Sequence, residues 1–272
     1  MKGNLRKMLS ENTSPVTYSL PVGDSVVGLN EFLEKKISLN YTGTINCIAC
    51  GRKTNKSFNQ GYCFPCMRSL AECDSCIVKP ELCHFAEGTC RDEEWALSHC
   101  MQDHYVYLAN SSGIKVGITR HTQVPTRWID QGATQALPMY KVANRHISGL
   151  LEVIIKNHVA DKTDWRKMLK GNPEPVDLAT KRDELFAECE TEINRLSDTL
   201  PVDSIQKLPD ESTTSVEYPV KEFPTKVTSL NFDKTPTVEG VLLGIKGQYL
   251  ILDSGVINIR KFGGYEIEFA GA

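Results

Sequence analysis

Nine of the ten cysteines in this chain lie in one short stretch between Cys47 and Cys100, and only Cys189 lies outside it. Clustered cysteines form disulfides in secreted proteins, whereas in a reducing compartment they bind metal. The first residues, from Met1 to Lys7, contain no apolar run of the kind that a secretory signal needs. We therefore expect a cytoplasmic protein whose cysteines bind metal ions.

The composition is that of an ordinary globular protein, with 272 residues of which 40% are hydrophobic and 24% charged. No apolar run approaches the ~20 residues that a membrane-spanning helix needs, so we expect no membrane partner. Basic residues outnumber acidic ones over 41–170, and the reverse holds over 171–272. The middle of the chain is therefore the part that favours a polyanionic partner.

The first four cysteines form two C-x2-C pairs, Cys47 with Cys50 and Cys63 with Cys66. Each pair presents two thiolates from one tight turn, and two such pairs complete the tetrahedral coordination of zinc. We interpret this stretch as a zinc ribbon. Because all four positions are filled by protein ligands, the zinc is expected to be structural rather than catalytic.

The cysteines that follow predict a second metal site with four ligands: Cys73, Cys76, Cys83 and Cys90. Four nearby residues compete for the same role: His84, His99, Cys100 and His104. We favour zinc over an iron–sulfur cluster here, although both accept four thiolates. A segment of this size has little room for a hydrophobic core, so metal is expected to stabilise it.

The pattern changes at residue 105. Alternating apolar residues predict a β-hairpin over 105–119, a helix through 126–131 and a third strand over 138–143. Ser148 is a candidate cap for a following helix, whose apolar residues recur at helical spacing up to Val159. The predicted order is thus β-β-α-β-α.

The rest of the chain predicts short strands over 16–46, a charged amphipathic helix over 178–200 with Cys189 on its apolar side, an irregular linker over 201–225 and short strands over 226–269. The N-terminal strands are candidates to complete the C-terminal sheet. We predict an α+β protein with these segments: N-terminal strands (1–46), a zinc module (47–104), the β-β-α-β-α unit (105–172), a helix and linker (173–225) and a small all-β domain forming a barrel or sheet (226–272).

The β-β-α-β-α unit resembles the GIY-YIG nuclease fold. Tyr105-Val106-Tyr107 stands in place of the first signature triplet and Lys115-Val116-Gly117 in place of the second, Arg127 lies on the next helix, and Glu152 lies on the one after. The resemblance implies cleavage of a phosphodiester. It implies that Tyr107 helps to position or deprotonate the attacking oxygen, that Arg127 stabilises charge on the phosphate, and that Glu152 binds one Mg²⁺ or Mn²⁺ ion.

The second triplet departs from this pattern, because Lys115 stands where the nuclease family has a tyrosine. A buried lysine can act as a general base if its pKa is lowered, or it can bind phosphate as a cation. Arg120 and His121 follow the second strand and are candidates to contact nucleic acid together with Arg127.

Nearly the whole chain is also similar to a family of uncharacterised bacterial proteins known as a domain of unknown function. The similarity rests on the motifs at 61–66 (Gly-Tyr-Cys-Phe-Pro-Cys), 106–112 (Val-Tyr-Leu-Ala-Asn-Ser-Ser), 115–120 (Lys-Val-Gly-Ile-Thr-Arg), 127–133 (Arg-Trp-Ile-Asp-Gln-Gly-Ala) and 244–250 (Gly-Ile-Lys-Gly-Gln-Tyr-Leu). This family implies an architecture and no activity.

Three functions remain open from the sequence. The first is a Mg²⁺- or Mn²⁺-dependent phosphodiesterase, an endonuclease of the GIY-YIG type acting on DNA or RNA. The second is a module that binds nucleic acid without cutting it, which Lys115 favours. The third is a zinc-stabilised adaptor between proteins.

Overall fold

The computed structural model describes residues 1–271 and shows a mixed α+β protein, as the sequence predicts. The strands are β1 (Lys2–Asn4), β2 (Leu9–Glu11), β3 (Thr17–Val22), β4 (Ser25–Gly28), β5 (Lys36–Asn46), β6 (Lys53–Thr54), β7 (His104–Asn110), β8 (Ile114–Arg120), β9 (Gln135–Val142), β10 (Ile205–Lys207), β11 (Thr214–Ser215), β12 (Thr237–Lys246), β13 (Tyr249–Leu252), β14 (Gly255–Asn258) and β15 (Tyr265–Gly271). The helices are α1 (Phe64–Ser69), α2 (Glu93–His99), α3 (Thr126–Asp130), α4 (Arg145–Ile155), α5 (Trp165–Met168), α6 (Leu178–Glu188) and α7 (Glu190–Ser197). No helix within residues 1–271 combines the length and the apolar character needed to cross a membrane.

The largest sheet joins the two ends of the chain. Its strand order is β1-β15-β5-β12-β13-β14, with β6 added to the end of β5. The long strand β5 pairs with β15 on one side and with β12 on the other, so that Leu39 lies opposite both Phe269 and Val238. Strands β1 and β5 therefore share a sheet with the C-terminal strands, whereas β2, β3 and β4 form a separate three-stranded sheet. Residues of both chain ends contribute to one hydrophobic core.

The second sheet contains the predicted hairpin. Strands β7 and β8 pair in register from His104–Arg120 to Asn110–Ile114, and β9 pairs with the other side of β7. Helices α3 and α4 follow β8 and β9, which gives the predicted β-β-α-β-α order. The predicted irregular linker is corrected in part, because β10 and β11 lie within 201–225 and extend the free edge of β9.

Two helix boundaries differ from the sequence prediction. Helix α4 begins at Arg145 rather than after Ser148, because the side chain of Asn144 accepts a hydrogen bond from the backbone N–H of Ile147 and caps the helix. Ser148 is fully buried inside the helix instead. The predicted helix over 178–200 is broken at Cys189 into α6 and α7, and Cys189 is a core residue as expected.

The cysteine-rich segment has few buried apolar side chains. Within the described residues, none of positions 47–103 belongs to a hydrophobic cluster. Between α1 and α2 the chain makes four short 3-10 turns, Ala71–Cys73, Ser75–Ile77, Pro80–Leu82 and Phe85–Glu87. Such a segment needs another source of stability, and metal–thiolate bonds provide it in other small domains.

Candidate functional site

The four cysteines of the predicted zinc ribbon converge at one point. The sulfur atoms of Cys47, Cys50, Cys63 and Cys66 all lie within 4.8 Å of one another. The Cys50 and Cys63 Sγ atoms are 3.8 Å apart, which is the separation expected for two thiolates bound to one zinc ion at about 2.3 Å each. This donor set fits zinc, with no position left for a substrate.

Local backbone structure brings the two pairs together. Cys47 directly follows β5, and a tight turn returns the chain so that the N–H of Gly51 donates to the Cys47 carbonyl oxygen. Cys63 precedes the first turn of α1, which carries Cys66. Burial opposes ionisation of Cys47, but hydrogen bonds from the backbone of Cys50 and its neighbours outweigh burial and lower the pKa of this thiol to about 6. The backbone thus favours the thiolate that zinc binds.

The second predicted set of cysteines differs from the first in its surroundings. Burial raises the pKa of Cys73, Asn59 opposes the shift, and Glu72 and Cys47 are among its electrostatic neighbours. Cys76 instead has Cys83, Cys90 and Cys100 as neighbours: burial, Asp74 and these thiols raise the pKa of Cys76 to about 11. Cys100, which the sequence analysis treated as a competing ligand, is thus an electrostatic neighbour of Cys76, and Cys73 is not among the neighbours of Cys76 that shift its pKa.

Three of the four predicted catalytic residues line a cleft of about 590 Å³. Lys115 from β8, Arg127 from α3 and Glu152 from α4 all line it. Asn59 and Gln60 of the cysteine-rich segment and Arg260 of the C-terminal segment line it as well. The cleft therefore lies where three parts of the chain meet: the β-β-α-β-α unit (the hairpin module, 105–172), the zinc ribbon and the C-terminal sheet.

Lys115 is a buried basic residue of the cleft with a strongly lowered pKa. Its side chain is only 6% exposed, and it forms no ion pair or hydrogen bond with residues 1–271 through its ammonium group. Burial, followed by the neighbouring Arg127, lowers the pKa of Lys115 to about 8, while Glu152 and Asp161 oppose the shift. Near pH 8 a substantial fraction of this lysine is therefore neutral and able to accept a proton.

Two carboxylates face this lysine. Burial raises the pKa of Glu152, Lys115 opposes the shift, and Asp161 adds to it. Asp161 lies in the loop after α4 and lines the same cleft. Two oxygen donors of this kind fit a hard divalent cation, which keeps waters in its remaining positions.

Tyr107 lies behind the cleft wall rather than in the cleft. Its side chain is fully buried, and its hydroxyl donates to Gln131 Oε1 at 3.2 Å. Burial raises the pKa of Tyr107 to about 12, with nearby Arg127 opposing the shift. The residue is therefore placed to hold Arg127 and Gln131 rather than to act as a base in contact with water.

The structure adds two arginines that sequence reasoning did not single out. Arg145 at the start of α4 and Arg260 in the 3-10 turn Ile259–Phe262 both line the cleft. Arg145 Nη2 donates to the carbonyl oxygen of Ile77, but its buried Nε has no partner within residues 1–271. Arg145 directly follows the Asn144 cap, a detectable signal, whereas no local pattern marks Arg260.

The positive charges of the cleft exceed what its carboxylates neutralise. Six basic and four acidic residues line it, and of the basic ones only Lys7 forms an ion pair within residues 1–271, with Asp130 at 2.7 Å. Arg120 lies in the cleft as expected. His121 does not line the cleft; it is exposed, and its N–H donates to the carbonyl oxygen of Asp103.

The fold and these sites define an α+β protein with a closed four-cysteine metal site beside a basic cleft. The chain belongs to the family described as "Protein of unknown function (DUF2797)", whose model matches residues 34–267. This confirms the similarity to a domain of unknown function. No curated protein and no solved structure matches the chain.

Proposed function

We propose that the cleft binds the phosphates of a nucleic acid and cleaves a phosphodiester bond with the help of Mg²⁺ or Mn²⁺. The observation that carries the proposal is the convergence of Lys115, Arg127 and Glu152 on one cleft. The β-β-α-β-α order of the module that supplies them supports the resemblance to GIY-YIG nucleases.

The charge of the cleft supports a phosphate ligand. Arg120, Arg127 and Arg260 have no acidic partner within hydrogen-bonding distance in the described chain. Burial, and then the proximity of Arg127, lowers the pKa of Arg260, so the two guanidinium groups repel each other when the cleft is empty. A phosphate that binds between them removes this repulsion and accepts hydrogen bonds from both.

The residues present fit the chemistry of phosphodiester cleavage. A divalent ion held by Glu152, with Asp161 as second donor, would polarise a phosphate oxygen and stabilise charge on the leaving group. Lys115, neutral near pH 8, takes the proton of the attacking water. Arg127 stabilises negative charge on the phosphate, and Tyr107 holds Arg127 and Gln131 in place.

We assign structural zinc to Cys47, Cys50, Cys63 and Cys66. Gln60, in the loop between the two pairs, contacts Gly263 of the C-terminal turn that carries Arg260. Zinc therefore stabilises one wall of the cleft rather than taking part in the reaction. The ten cysteines form no disulfide within the described residues, which is consistent with the expected cytoplasmic location.

A second candidate function is binding without cleavage. It is favoured by the burial of Tyr107 together with Lys115 in the position of the second tyrosine, since both changes remove a solvent-accessible phenol from the cleft. In that case Lys115 contributes only its charge. The cation arrangement and the binding partner are the same in both functions.

Glu152→Gln separates the two functions. We expect the wild-type protein to cut DNA or RNA in the presence of Mg²⁺ or Mn²⁺, and Glu152→Gln to bind the same strand but not cut it. Glu192→Gln is the matched control, because Glu192 is an exposed glutamate on α7 that does not line the cleft. Wild-type protein that binds nucleic acid yet leaves DNA and RNA intact with either metal supports the binding function. If the wild-type protein binds neither DNA nor RNA, the cleft is not a nucleic-acid site. The remaining function is then that of an adaptor between proteins.

A further inference from the structure

A buried carboxylate and an arginine connect the segments that carry four cysteines outside the zinc ribbon. Asp74 is only 8% exposed, and its Oδ2 accepts a hydrogen bond from Arg91 Nε at 2.9 Å and lies 3.4 Å from His84 Nε2. The backbone N–H of Ser75 donates to its Oδ1. Ser75, His84 and Arg91 are the immediate sequence neighbours of Cys76, Cys83 and Cys90, so this one carboxylate connects the three segments that carry these cysteines.

Arg145 brings the fourth thiol to the same place. Its backbone N–H donates to the Cys100 carbonyl oxygen at 2.8 Å, and its Nη2 donates to the Ile77 carbonyl oxygen at 2.6 Å. Ile77 directly follows Cys76. One residue at the start of α4 thus anchors both Cys100 and the turn that carries Cys76, and Cys100 is 6% exposed.

The surrounding segment has no hydrophobic core of its own within the described residues. Residues 71–103 contain three-residue turns and the short helix α2, and none of these positions belongs to a hydrophobic cluster of the described chain. The segment nevertheless packs closely on α4, since Gly149 has no room for a side chain against Pro80 and Glu81. A defined fold without a core requires cross-links.

We propose that Cys76, Cys83, Cys90 and Cys100 ligate an iron–sulfur cluster, a second metal centre that is separate from the zinc ribbon. The spacing of the sulfurs distinguishes the two centres. The sulfurs of the zinc ribbon lie within 4.8 Å of one another, as a single ion requires, whereas no three of these four thiols do so within residues 1–271. A cluster of several irons is larger than one ion and holds its four thiolates further apart.

The group Asp74, Cys76 and His84 is compact enough for a single metal ion, but its donors are already engaged. Both carboxylate oxygens of Asp74 accept hydrogen bonds, one of them from a guanidinium group, and His84 Nδ1 lies 2.8 Å from the Thr89 hydroxyl. The cationic Arg91 beside Asp74 also disfavours a second cation there. These residues therefore support the cysteines rather than replace them.

The test is the metal content of the full chain purified without oxygen, or reconstituted with iron and sulfide. We expect one zinc per chain together with iron and acid-labile sulfide in equal amounts, and visible absorption that bleaches in air. Protein that holds two zinc ions and no iron, or that takes up no iron on reconstitution, overturns the proposal. This measurement needs no nucleic acid, so it is independent of the function proposed for the cleft.

Two variants test the ligand set. Cys100→Ser is expected to lose the iron and sulfide while keeping the zinc. Cys73→Ser is the matched control, because Cys73 is a buried thiol of the same segment that faces the zinc ribbon, and it is expected to keep both metals. Loss of iron in Cys73→Ser together with its retention in Cys100→Ser overturns the assignment. Should Cys100→Ser be insoluble, the iron content of the wild-type chain still decides between the outcomes.

Discussion

Gly117 lies directly against the ring of Tyr107. The two residues are opposite each other in the β7–β8 ladder, and a Cβ atom on residue 117 would lie 2.8 Å from both the hydroxyl oxygen and the Cζ atom of Tyr107. Gly117 lines the cleft, as does Gln131, which accepts the hydrogen bond of the tyrosine hydroxyl. The position of Tyr107, and through it that of Arg127 and Gln131, depends on this missing side chain.

Gly117→Ala is therefore expected to displace the Tyr107 ring. Forcing a methyl group into a filled site of this kind costs about 1–3 kcal/mol, which chemical denaturation measures. Gly171→Ala is the control, because Gly171 has open space around its Cα atom and no left-handed backbone angle. Equal stability of the two variants would show that the tyrosine moves without cost and does not position its neighbours.

The hairpin module and the zinc ribbon were predictable because their signals are local. The alternation over 105–119 and the C-x2-C spacing at 47–66 each lie within one element or one turn, and the structure has β7, β8 and the four-sulfur group at those places. The start of α4 was not predictable to the residue. Asn144 and Ser148 are both possible caps, and the structure distinguishes them by the hydrogen bond of the Ile147 N–H to Asn144 and by the burial of Ser148.

The sequence suggested that the N-terminal strands complete the C-terminal sheet, but it did not predict which residues pair. The pairing of Ile267 with Tyr41 joins residues from opposite ends of the chain, and no local pattern encodes that register. For the same reason Arg260 gave no signal, since only the folding of the C-terminal sheet against the zinc ribbon brings it to the cleft. The hydrogen bond from the Arg145 backbone N–H to the Cys100 carbonyl oxygen is another such feature, because cysteine spacing does not reveal a contact with α4.

The zinc ribbon can be tested through Cys63→Ser. This change removes one of four ligands, and since the segment has no hydrophobic core we expect loss of the zinc and local unfolding of 47–70. Elemental analysis measures the zinc, and limited proteolysis locates the new cleavage sites. Cys189→Ser, at a buried cysteine in the core of α6 and α7, should retain the zinc. A Cys63→Ser protein with a full equivalent of zinc contradicts this ligand assignment.

The role of Arg260 can be tested by the salt dependence of binding. If Arg260 contacts a phosphate, Arg260→Ala should weaken binding to every sequence alike and lower the slope of log affinity against log salt by about 1. Arg195→Ala removes an exposed arginine of α7 outside the cleft and should leave the slope unchanged. An unchanged slope in Arg260→Ala means that this guanidinium group contacts no phosphate.

Burial of Lys115 should make the stability of the protein depend on pH in a defined direction. The pKa of Lys115 is lowered from 10.5 to about 8 by burial and by Arg127, so the unfolded chain binds more protons than the folded one between these two values. Stability therefore rises with pH across this window, and the cost of the buried charge below it is roughly 3 kcal/mol. We expect Lys115→Met to be more stable than wild type at pH 7, measured by urea unfolding.

The same comparison at pH 10 completes the test. There Lys115 is largely neutral in the folded protein, so the advantage of Lys115→Met should shrink. Lys162→Met, at an exposed lysine in the loop after α4, should show no such pH-dependent difference. An advantage of Lys115→Met that is equal at both pH values would mean that Lys115 stays charged throughout. A lysine that stays charged cannot take a proton from water, and Lys115 would then serve the cleft only as a phosphate-binding cation.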